Sequence, residues 1–338
     1  MSVQIPAVLE RARDLTAPAL RAAVDRLEPS IAHVAAYHLG WVDAAGQPVA
    51  GNGGKAVRPA LAVLSAEAVG ADARQGLPGA VAVELVHNFS LLHDDLMDGD
   101  EERRHRTTAW KAFGPALAIL AGDALLALAE DVLLEAPGST GARAARHLTS
   151  ATDRLITGQA EDLSFESRMD VSVDECMAME ANKTGALLAC ASSIGAVLAG
   201  APERTVTALG DFGHHLGLAF QAVDDLLGIW GEPEVTGKPA WSDLRQRKKS
   251  VPVAVALSAG RPSSERLISL LGGESPVGEE DLALAAKLVQ EAGGRDWTQR
   301  EAERQLDLAL SRLDAVEMPA GVRDDLVSLA RFVTTREL

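Results

Sequence analysis

The stretch VELVHNFSLLHDDLMD, residues 83–98, decides the fold class of this chain. Its apolar residues recur every three or four positions, which is typical of a helix with one buried face. Asp94, Asp95 and Asp98 lie at its end. On a helix, Asp94 and Asp98 lie one turn apart on the same face, with Asp95 beside them. The helix is therefore predicted to begin in a core and to end at a charged surface or cavity.

The same helical spacing continues through most of the 338 residues. It recurs in nearly every segment between Gly and Pro breaks, as in DALLALAEDVLLEA (residues 123–136), and aromatic residues make up only 4% of the chain. We find no convincing pair of strands and no segment biased enough to be a linker between domains. We predict an all-α protein that forms one domain over residues 1–338, with a motif-bearing core at about residues 50–255.

Composition and charge exclude several classes of function. The formal net charge of −16 opposes binding to nucleic acid or to an anionic membrane, so a small anionic substrate would need local cations.

No stretch reaches the roughly 18 uncharged apolar residues of a membrane span, and the first residues lack a secretory signal pattern. We predict a cytoplasmic protein without stable membrane insertion. Cys176 and Cys190 fall in apolar helical patterns and are predicted to be reduced core residues.

Two acidic helix ends are suited to magnesium. Mg²⁺ commonly takes one or two carboxylates and completes its shell with water and phosphate oxygens. A second apolar helix, GLAFQAVDDLLGIW (residues 217–230), runs into Asp224 and Asp225, with Gln221 one turn before Asp225. Two such helices suggest carboxylate clusters that face each other. Taken alone, each segment also fits a solvated acidic helix end with ordinary ion pairs.

Basic residues in helical segments suggest contacts with phosphate. Lys183 and Thr184 lie inside the apolar stretch EANKTGAL (residues 180–187), where an ammonium group is costly unless it meets an anion. Lys55 and Arg58 lie three positions apart in GNGGKAVRP (residues 51–59), at the entry to a helix, which is a place suited to phosphate. Taken alone, each of these basic residues is also consistent with a surface side chain whose aliphatic part packs against the protein. Together they predict a site for two diphosphates and several metal ions.

These motifs, taken together, resemble those of the trans-isoprenyl diphosphate synthases, also called polyprenyl synthetases. In chain order they are GGKAVRP, VHNFSLLHDDLMD, the ERR step, GQAEDL, KTGAL, FQAVDD, GK and DLRQRKKSVP, which cover about residues 50–255. The resemblance implies a class I isoprenoid synthase fold, which is a helical bundle around a deep central cavity. It also implies a homodimer, the usual form in this family. It implies condensation of isopentenyl diphosphate with dimethylallyl, geranyl or farnesyl diphosphate.

The resemblance also implies roles for individual residues. Asp94, Asp95 and Asp98 form the first aspartate-rich motif, Asp224 and Asp225 open the second, and the two motifs hold about three Mg²⁺ ions against the allylic diphosphate. The residues implied to contact that diphosphate are Arg103, Lys183, Thr184, Gln221, Lys238 and Lys248, of which Arg103, Lys183 and Gln221 are assigned to catalysis. The residues implied to bind isopentenyl diphosphate are Lys55, Arg58, His87 and Arg104.

Two residues before the first motif bear on the length of the product. Phe89 and Ser90 lie five and four positions before Asp94, roughly 6 to 7 Å along the helix. In the family, a large residue at the first of these positions forms a floor under the growing chain, and a second aromatic residue beside it makes the product shorter. The pair here is similar to that of geranylgeranyl diphosphate synthases, so a twenty-carbon product is expected. The alternative is that Phe89 is an ordinary core residue.

The chain departs from the family pattern at several positions. Gly228 stands where the second motif usually ends in an aspartate, and we expect Asp224 to suffice as the direct ligand. His105 replaces a usual glycine after the arginine pair, and Glu232 replaces a usual aspartate.

Other classes of protein share part of this pattern. A class I terpene cyclase has the same fold, but it takes one diphosphate and has no use for Lys55, Arg58 and His87. His93 and Asp94 spell the HD pair of metal-dependent phosphohydrolases, a class that needs further histidine ligands on neighbouring helices. The remaining histidines show no such arrangement. A noncatalytic partner subunit is expected to lack the first motif, which is intact here.

Overall fold

Helices form most of the computed structural model, which describes residues 6–49, 54–232, 240–273 and 278–335. In chain order the helices are α1 (Ala7–Val24), α2 (Pro29–His38), α3 (Val57–Glu67), α4 (Leu77–Met97), α5 (Ala109–Phe113), α6 (Pro115–Leu134), α7 (Thr140–Phe165), α8 (Val173–Glu180), α9 (Ala186–Ala191), α10 (Ile194–Leu198), α11 (Glu203–Trp230), α12 (Ser242–Arg245), α13 (Val251–Ser258), α14 (Pro262–Leu271), α15 (Glu279–Glu291), α16 (Gly294–Arg312) and α17 (Ala320–Thr334). A π-helical turn (Ala181–Gly185) and 3₁₀ turns at Ala73–Gln75 and Leu313–Ala315 complete them. The predicted all-α class is confirmed.

One short hairpin was not predicted. Strand β1 (Glu102–Arg103) pairs antiparallel with β2 (Arg106–Thr107), Glu102 opposite Thr107 and Arg103 opposite Arg106. Strands of two residues are too short to give an alternating pattern in the sequence.

The chain divides into two compact units. The first comprises Met1–Thr152, Cys190–Gly210 and Leu313–Leu329, and the second comprises Asp153–Ala189, Asp211–Arg312 and Ala330–Leu338.

Helices α3 and α4 lie at the centre of the first unit. Every residue of α3 from Pro59 to Ala66 is buried, because other helices of this unit pack around it. Helix α10 comes so close to α3 that a Cβ on Gly195 would lie 2.1 Å from the carbonyl oxygen of Ala62. The N–H of Gly195 donates to Ser65 Oγ at 2.9 Å. This packing holds α4, which carries the first aspartate motif.

The second unit has its own apolar core. Ile229 of α11 packs there with Val253 of α13, Leu267 of α14 and Leu282 of α15, all of them buried. Burying a side chain of this size stabilises a fold by roughly 1.5–3 kcal/mol. This core supports the C-terminal half of α11, which carries the second aspartate motif.

Two further sequence predictions concern the cysteines and the membrane. Cys176 and Cys190 are buried free thiols, as predicted, and burial raises the pKa of both. Within the described part of the chain, no helix is both long and apolar enough to cross a membrane.

Candidate active site

The first aspartate motif lies at the C-terminal end of α4. The helix ends at Met97, and the N–H of Asp98 donates to the carbonyl oxygen of Asp94 at 2.8 Å. Asp94 and Asp98 are partly exposed, whereas Asp95 is 1% exposed. The predicted helix therefore does run from a core to a charged end.

Asp95 offers a buried oxygen to a cation. Its Oδ1 accepts a hydrogen bond from Nε of Arg103 at 2.6 Å, whereas its Oδ2 is buried without a hydrogen-bond partner among the described residues. Burial raises the pKa of Asp95 to about 6, although the charge of Arg103 opposes this shift. A buried carboxylate oxygen without a partner is costly, and oxygen is the ligand that Mg²⁺ prefers. The residues at this helix end therefore fit a magnesium ion.

The β1–β2 hairpin positions the arginine pair. Arg104 and His105 form its two-residue turn, with φ values of 52° and 60°. A tight hairpin turn with φ above zero at both central residues favours Gly, Asn or Asp. A histidine there adopts a conformation that is uncommon for residues other than glycine.

Predicted ligands of isopentenyl diphosphate lie together in the first unit. His87 of α4 is partly exposed, and its pKa is lowered well below the usual range by desolvation and by the charges of Arg58 and Arg104. A Cβ built on Gly54, the residue before Lys55, would lie 3.5 Å from Nη1 of Arg104. The cluster is therefore rich in positive charge within an acidic protein, as binding of an anion requires.

In the second unit, Lys183 and Thr184 lie on the π-helical turn. Turns of this kind often occur at functional sites. Lys183 Nζ pairs with a carboxylate oxygen of Asp162 on α7, so the ammonium group meets the anion that its burial requires. A Cβ on Gly158 would lie 2.3 Å from the backbone nitrogen of Lys183. The glycine therefore allows α7 to contact the turn directly.

A chain of hydrogen bonds joins Thr184 to the second aspartate motif. Thr184 Oγ1 donates to Gln221 Oε1 at 2.8 Å, and Gln221 Nε2 donates to Asp225 Oδ1 at 2.9 Å. The N–H of Val251, at the start of α13, donates to Asp225 Oδ2 at 2.8 Å. Asp225 is 3% exposed, and burial raises its pKa to about 6. Both oxygens of Asp225 therefore already accept hydrogen bonds, and one of these bonds orients the side chain of Gln221.

Two acidic residues near Asp225 were missed by the sequence analysis. Glu180 is 3% exposed, and burial together with the charge of Asp225 raises its pKa well above the usual range. The carboxylate of Asp243 on α12 lies where a side chain at position 228 would begin, since a Cβ on Gly228 would be 2.2 Å from Asp243 Oδ2. The charge of Asp243 also raises the pKa of Asp225. A carboxylate from another helix therefore lies beside the place where the second motif usually has its last aspartate.

Lys248 and Lys238 are the other two lysines predicted to contact the allylic diphosphate. The N–H of Lys248 donates to the carbonyl oxygen of Asp243 at 2.9 Å, so α12 fixes its backbone. Lys238 lies outside the described residues. Within residues 6–49, 54–232, 240–273 and 278–335, no three His, Cys, Asp or Glu side chains form a ready-made metal site.

The sequence profile of the polyprenyl synthetases matches residues 40–289. Over 333 residues, the chain is 49% identical to the (2E,6E)-farnesyl diphosphate synthase of Mycobacterium tuberculosis (98% of this chain, 93% of the relative). It is 43% identical to the geranylgeranyl diphosphate synthase of the same organism, again over 333 residues (98% of this chain, 94% of the relative).

Solved structures agree with these relatives. A polyprenyl synthetase from Streptomyces coelicolor A3(2) is 63% identical with a TM-score of 0.95, over 98% of this chain and 100% of that one. A geranylgeranyl pyrophosphate synthase from Corynebacterium glutamicum, complexed with isoprenyl diphosphate and magnesium, is 28% identical with a TM-score of 0.84, over 99% and 100% of the two chains. The chain belongs to the polyprenyl synthetase family and has its isoprenoid synthase fold.

The predicted class of enzyme is confirmed as well: this is a trans-isoprenyl diphosphate synthase, which condenses isopentenyl diphosphate with allylic diphosphates. The family match and the relatives also argue against the phosphohydrolase alternative, since both are of the polyprenyl synthetase class.

Proposed function

We propose that the enzyme makes geranylgeranyl diphosphate by adding isopentenyl diphosphate to dimethylallyl, geranyl or farnesyl diphosphate. The observation that carries this proposal is the pairing of a large and a small residue on α4. Phe89 is 6% exposed, and the hydroxyl of the small Ser90 donates to the carbonyl oxygen of His87 at 2.9 Å. Phe89 closes the path of a chain that grows along α4 from Asp94, and Ser90 leaves room beside it.

Replacing Phe89 by alanine is expected to lengthen the product. Removal of the ring opens the floor, so products beyond twenty carbons become the main species when isopentenyl diphosphate is in excess. The measurement is the product distribution from each primer, resolved by mass spectrometry. Phe89→Tyr, which keeps the ring, is the matched control and retains the wild-type length. An alanine variant with an unchanged distribution would move the floor to another residue.

Farnesyl diphosphate is the second candidate product, because relatives at 49% identity are farnesyl diphosphate synthases. The two candidates differ in their use of farnesyl diphosphate as a primer. A geranylgeranyl diphosphate synthase extends it by one unit, whereas an enzyme that stops at fifteen carbons leaves it unused. Incubation of the purified protein with farnesyl and isopentenyl diphosphates decides between them.

Magnesium ions, about three per site, are proposed to bind at the aspartate motifs. Asp94, Asp98 and Asp224 supply direct ligands, and the buried, unpartnered Oδ2 of Asp95 supports a cation at the end of α4. Asp225 adds charge and orients Gln221. When bound, the ions supply positive charge that stabilises the diphosphate as it leaves.

Basic side chains of the protein are proposed to stabilise the allylic diphosphate as well. Arg103, Lys183 and Lys248 are proposed to offer positive charge to the leaving group, and the hydrogen-bonded pair of Thr184 and Gln221 offers polar contacts. Lys238 is assigned to the same diphosphate and lies outside the described residues. Charge that is already in position lowers the barrier to breaking the C–O bond, because no reorganisation is needed as negative charge grows. No protein nucleophile is needed, since the alkene of isopentenyl diphosphate attacks the carbocation. Apolar side chains below the motifs exclude water.

Isopentenyl diphosphate is proposed to bind at Lys55, Arg58, His87 and Arg104. The support is the concentration of positive charge around the partly exposed His87. A guanidinium group binds phosphate through two parallel hydrogen bonds, which fixes the alkene in one orientation. Neutral His87 adds a hydrogen bond without further charge.

The affinity for Mg²⁺ is expected to fall as the pH drops below about 6. Asp95 and Asp225 both have a pKa of about 6, so each is mostly ionised at pH 7 and mostly protonated at pH 5. An ion bound to Asp95 must displace the proton of that carboxyl group, which weakens binding by roughly tenfold between pH 7 and 5. Asp225 is not a direct ligand, so its protonation removes a nearby negative charge and weakens binding by a smaller factor.

Calorimetry with Mg²⁺ and inorganic pyrophosphate, in two buffers of different ionisation enthalpy, measures this proton release. Pyrophosphate titrates in the same range, so the relevant quantity is the difference between the wild type and Asp95→Asn or Asp225→Asn. Equal proton release by the wild type and both variants would contradict the expectation.

A homodimer is proposed as the working form. Helix α6 presents an apolar face to solvent in which Ile119, Leu120 and Leu134 are 41%, 53% and 58% exposed. Such a face on a protein of net charge −16 is best covered by a second copy of the same surface, since interfaces of this kind are apolar at their centre.

Leu120→Glu is expected to give a monomer. The substitution buries a charge at the centre of the proposed interface. The free energy needed to remove that charge from water exceeds what this position contributes to association. Sedimentation velocity measures the change. Ile268→Glu, at an exposed apolar residue of α14, is the control and keeps the wild-type mass. A Leu120→Glu protein that sediments like the wild type would exclude this face.

A further inference from the structure

Phe89 has an aromatic neighbour on its own helix. His93 lies one turn further along α4, and the two ring centroids are 4.9 Å apart with an interplanar angle of 72°. This edge-to-face arrangement is a favourable geometry for two aromatic rings. The contact restricts the rotation of Phe89, because its ring would have to leave His93 to adopt another rotamer.

His93 is in turn held by α6. Its Nε2 donates to the carbonyl oxygen of Ile119 at 3.1 Å, and the ring lies against Gly122. A Cβ on Gly122 would be 2.3 Å from Nε2 and 2.5 Å from Cδ2 of His93. Both distances are shorter than van der Waals contact, so the imidazole ring fills the space that a side chain at position 122 would occupy. A glycine inside a helix is less favourable than alanine, and the contact with His93 accounts for its presence at position 122.

We infer that His93 and Gly122 are positioning residues for Phe89 and thereby determine the length of the product. The inference rests on the proposed role of Phe89 as the floor. Gly122 gives the imidazole its place against α6, the hydrogen bond to Ile119 fixes the ring plane, and the ring holds Phe89 across the path of the chain. With His93 displaced or absent, Phe89 rotates aside and admits a longer chain.

The experiment compares product distributions of His93→Ala, Gly122→Ala and the double variant at equal consumption of isopentenyl diphosphate. Each single variant is expected to raise the ratio of products beyond the wild-type length by roughly three- to tenfold. Gly122→Ala acts by displacing the ring, so adding it to His93→Ala is expected to change nothing further. A merely structural role would not produce this coupling in the product ratio.

Gly79→Ala is the matched control. It lies on the same helix as Phe89, and its Cβ would meet Cγ2 of Ile194 at 2.7 Å, so it strains the same unit away from the floor. Its product ratio is expected to equal that of the wild type. A comparable rise in Gly79→Ala, or additive effects in the double variant, would overturn the inference.

Phe89→Ala separates this inference from the proposed function. If it lengthens the product while both His93→Ala and Gly122→Ala leave it unchanged, the floor stands and the inference is wrong. If Phe89→Ala has no effect, the floor itself is elsewhere and the inference falls with it.

Discussion

Replacing Asp94 or Asp224 by asparagine is expected to lower kcat/KM of the Mg²⁺-dependent condensation by roughly a thousandfold or more. Each change removes one negative charge from a proposed metal ligand while keeping the size of the side chain. The diphosphate then leaves without the positive charge that stabilises it. Steady-state rates with saturating Mg²⁺ measure the loss.

The fold is expected to survive both substitutions. Asp94 is partly exposed at the end of its helix, and asparagine preserves its shape. Thermal melts that match the wild type within a few degrees establish this. Asp14→Asn, at an exposed residue of α1, is the control for loss of charge alone and retains wild-type rates. Near-normal turnover in either motif variant would remove that residue from the metal site.

Arg58→Ala is expected to raise KM for isopentenyl diphosphate by roughly 30-fold or more and to change KM for the allylic substrate much less. The guanidinium group belongs to the positive cluster around His87 in the first unit. Its loss removes a charged contact with one substrate only. Initial rates with one substrate varied at saturating levels of the other measure both constants.

Lys183→Ala is the reciprocal variant. Lys183 lies on the π-helical turn of the second unit and is assigned to the allylic diphosphate. We expect it to impair use of the allylic substrate while leaving KM for isopentenyl diphosphate near its wild-type value. If both variants affect the two substrates equally, the assignment of separate residues to separate diphosphates is wrong.

The sequence was sufficient for features that depend on local periodicity. Helix α4 and its acidic end follow from the spacing of apolar residues up to Asp94, and α11 follows in the same way up to Asp224. The family and the class of enzyme follow from motifs whose order along the chain is specific. The single-domain organisation and the individual ligand assignments stay predictions.

Other features depend on contacts between residues far apart in sequence. The π-helical turn at Lys183 has an ordinary helical pattern in the sequence, and the close approach of α7 at Gly158 is seen only in the structure. The carboxylate of Asp243 lies beside Gly228 because α12 packs there, which no local pattern could predict. The role of Gly122 could not be predicted from the sequence either, because it depends on the space that the missing side chain leaves for the ring of His93.

The most direct test of the central claim is anomalous diffraction from crystals of the protein grown with Mn²⁺ and inorganic pyrophosphate. Mn²⁺ replaces Mg²⁺ at oxygen sites and is visible by its anomalous signal. We predict one peak at metal–oxygen bonding distance from the carboxylate of Asp94 and another at that distance from the carboxylate of Asp224, with each ion also bound to pyrophosphate. Pyrophosphate bound without metal at either aspartate, or metal bound only at other residues, would contradict it.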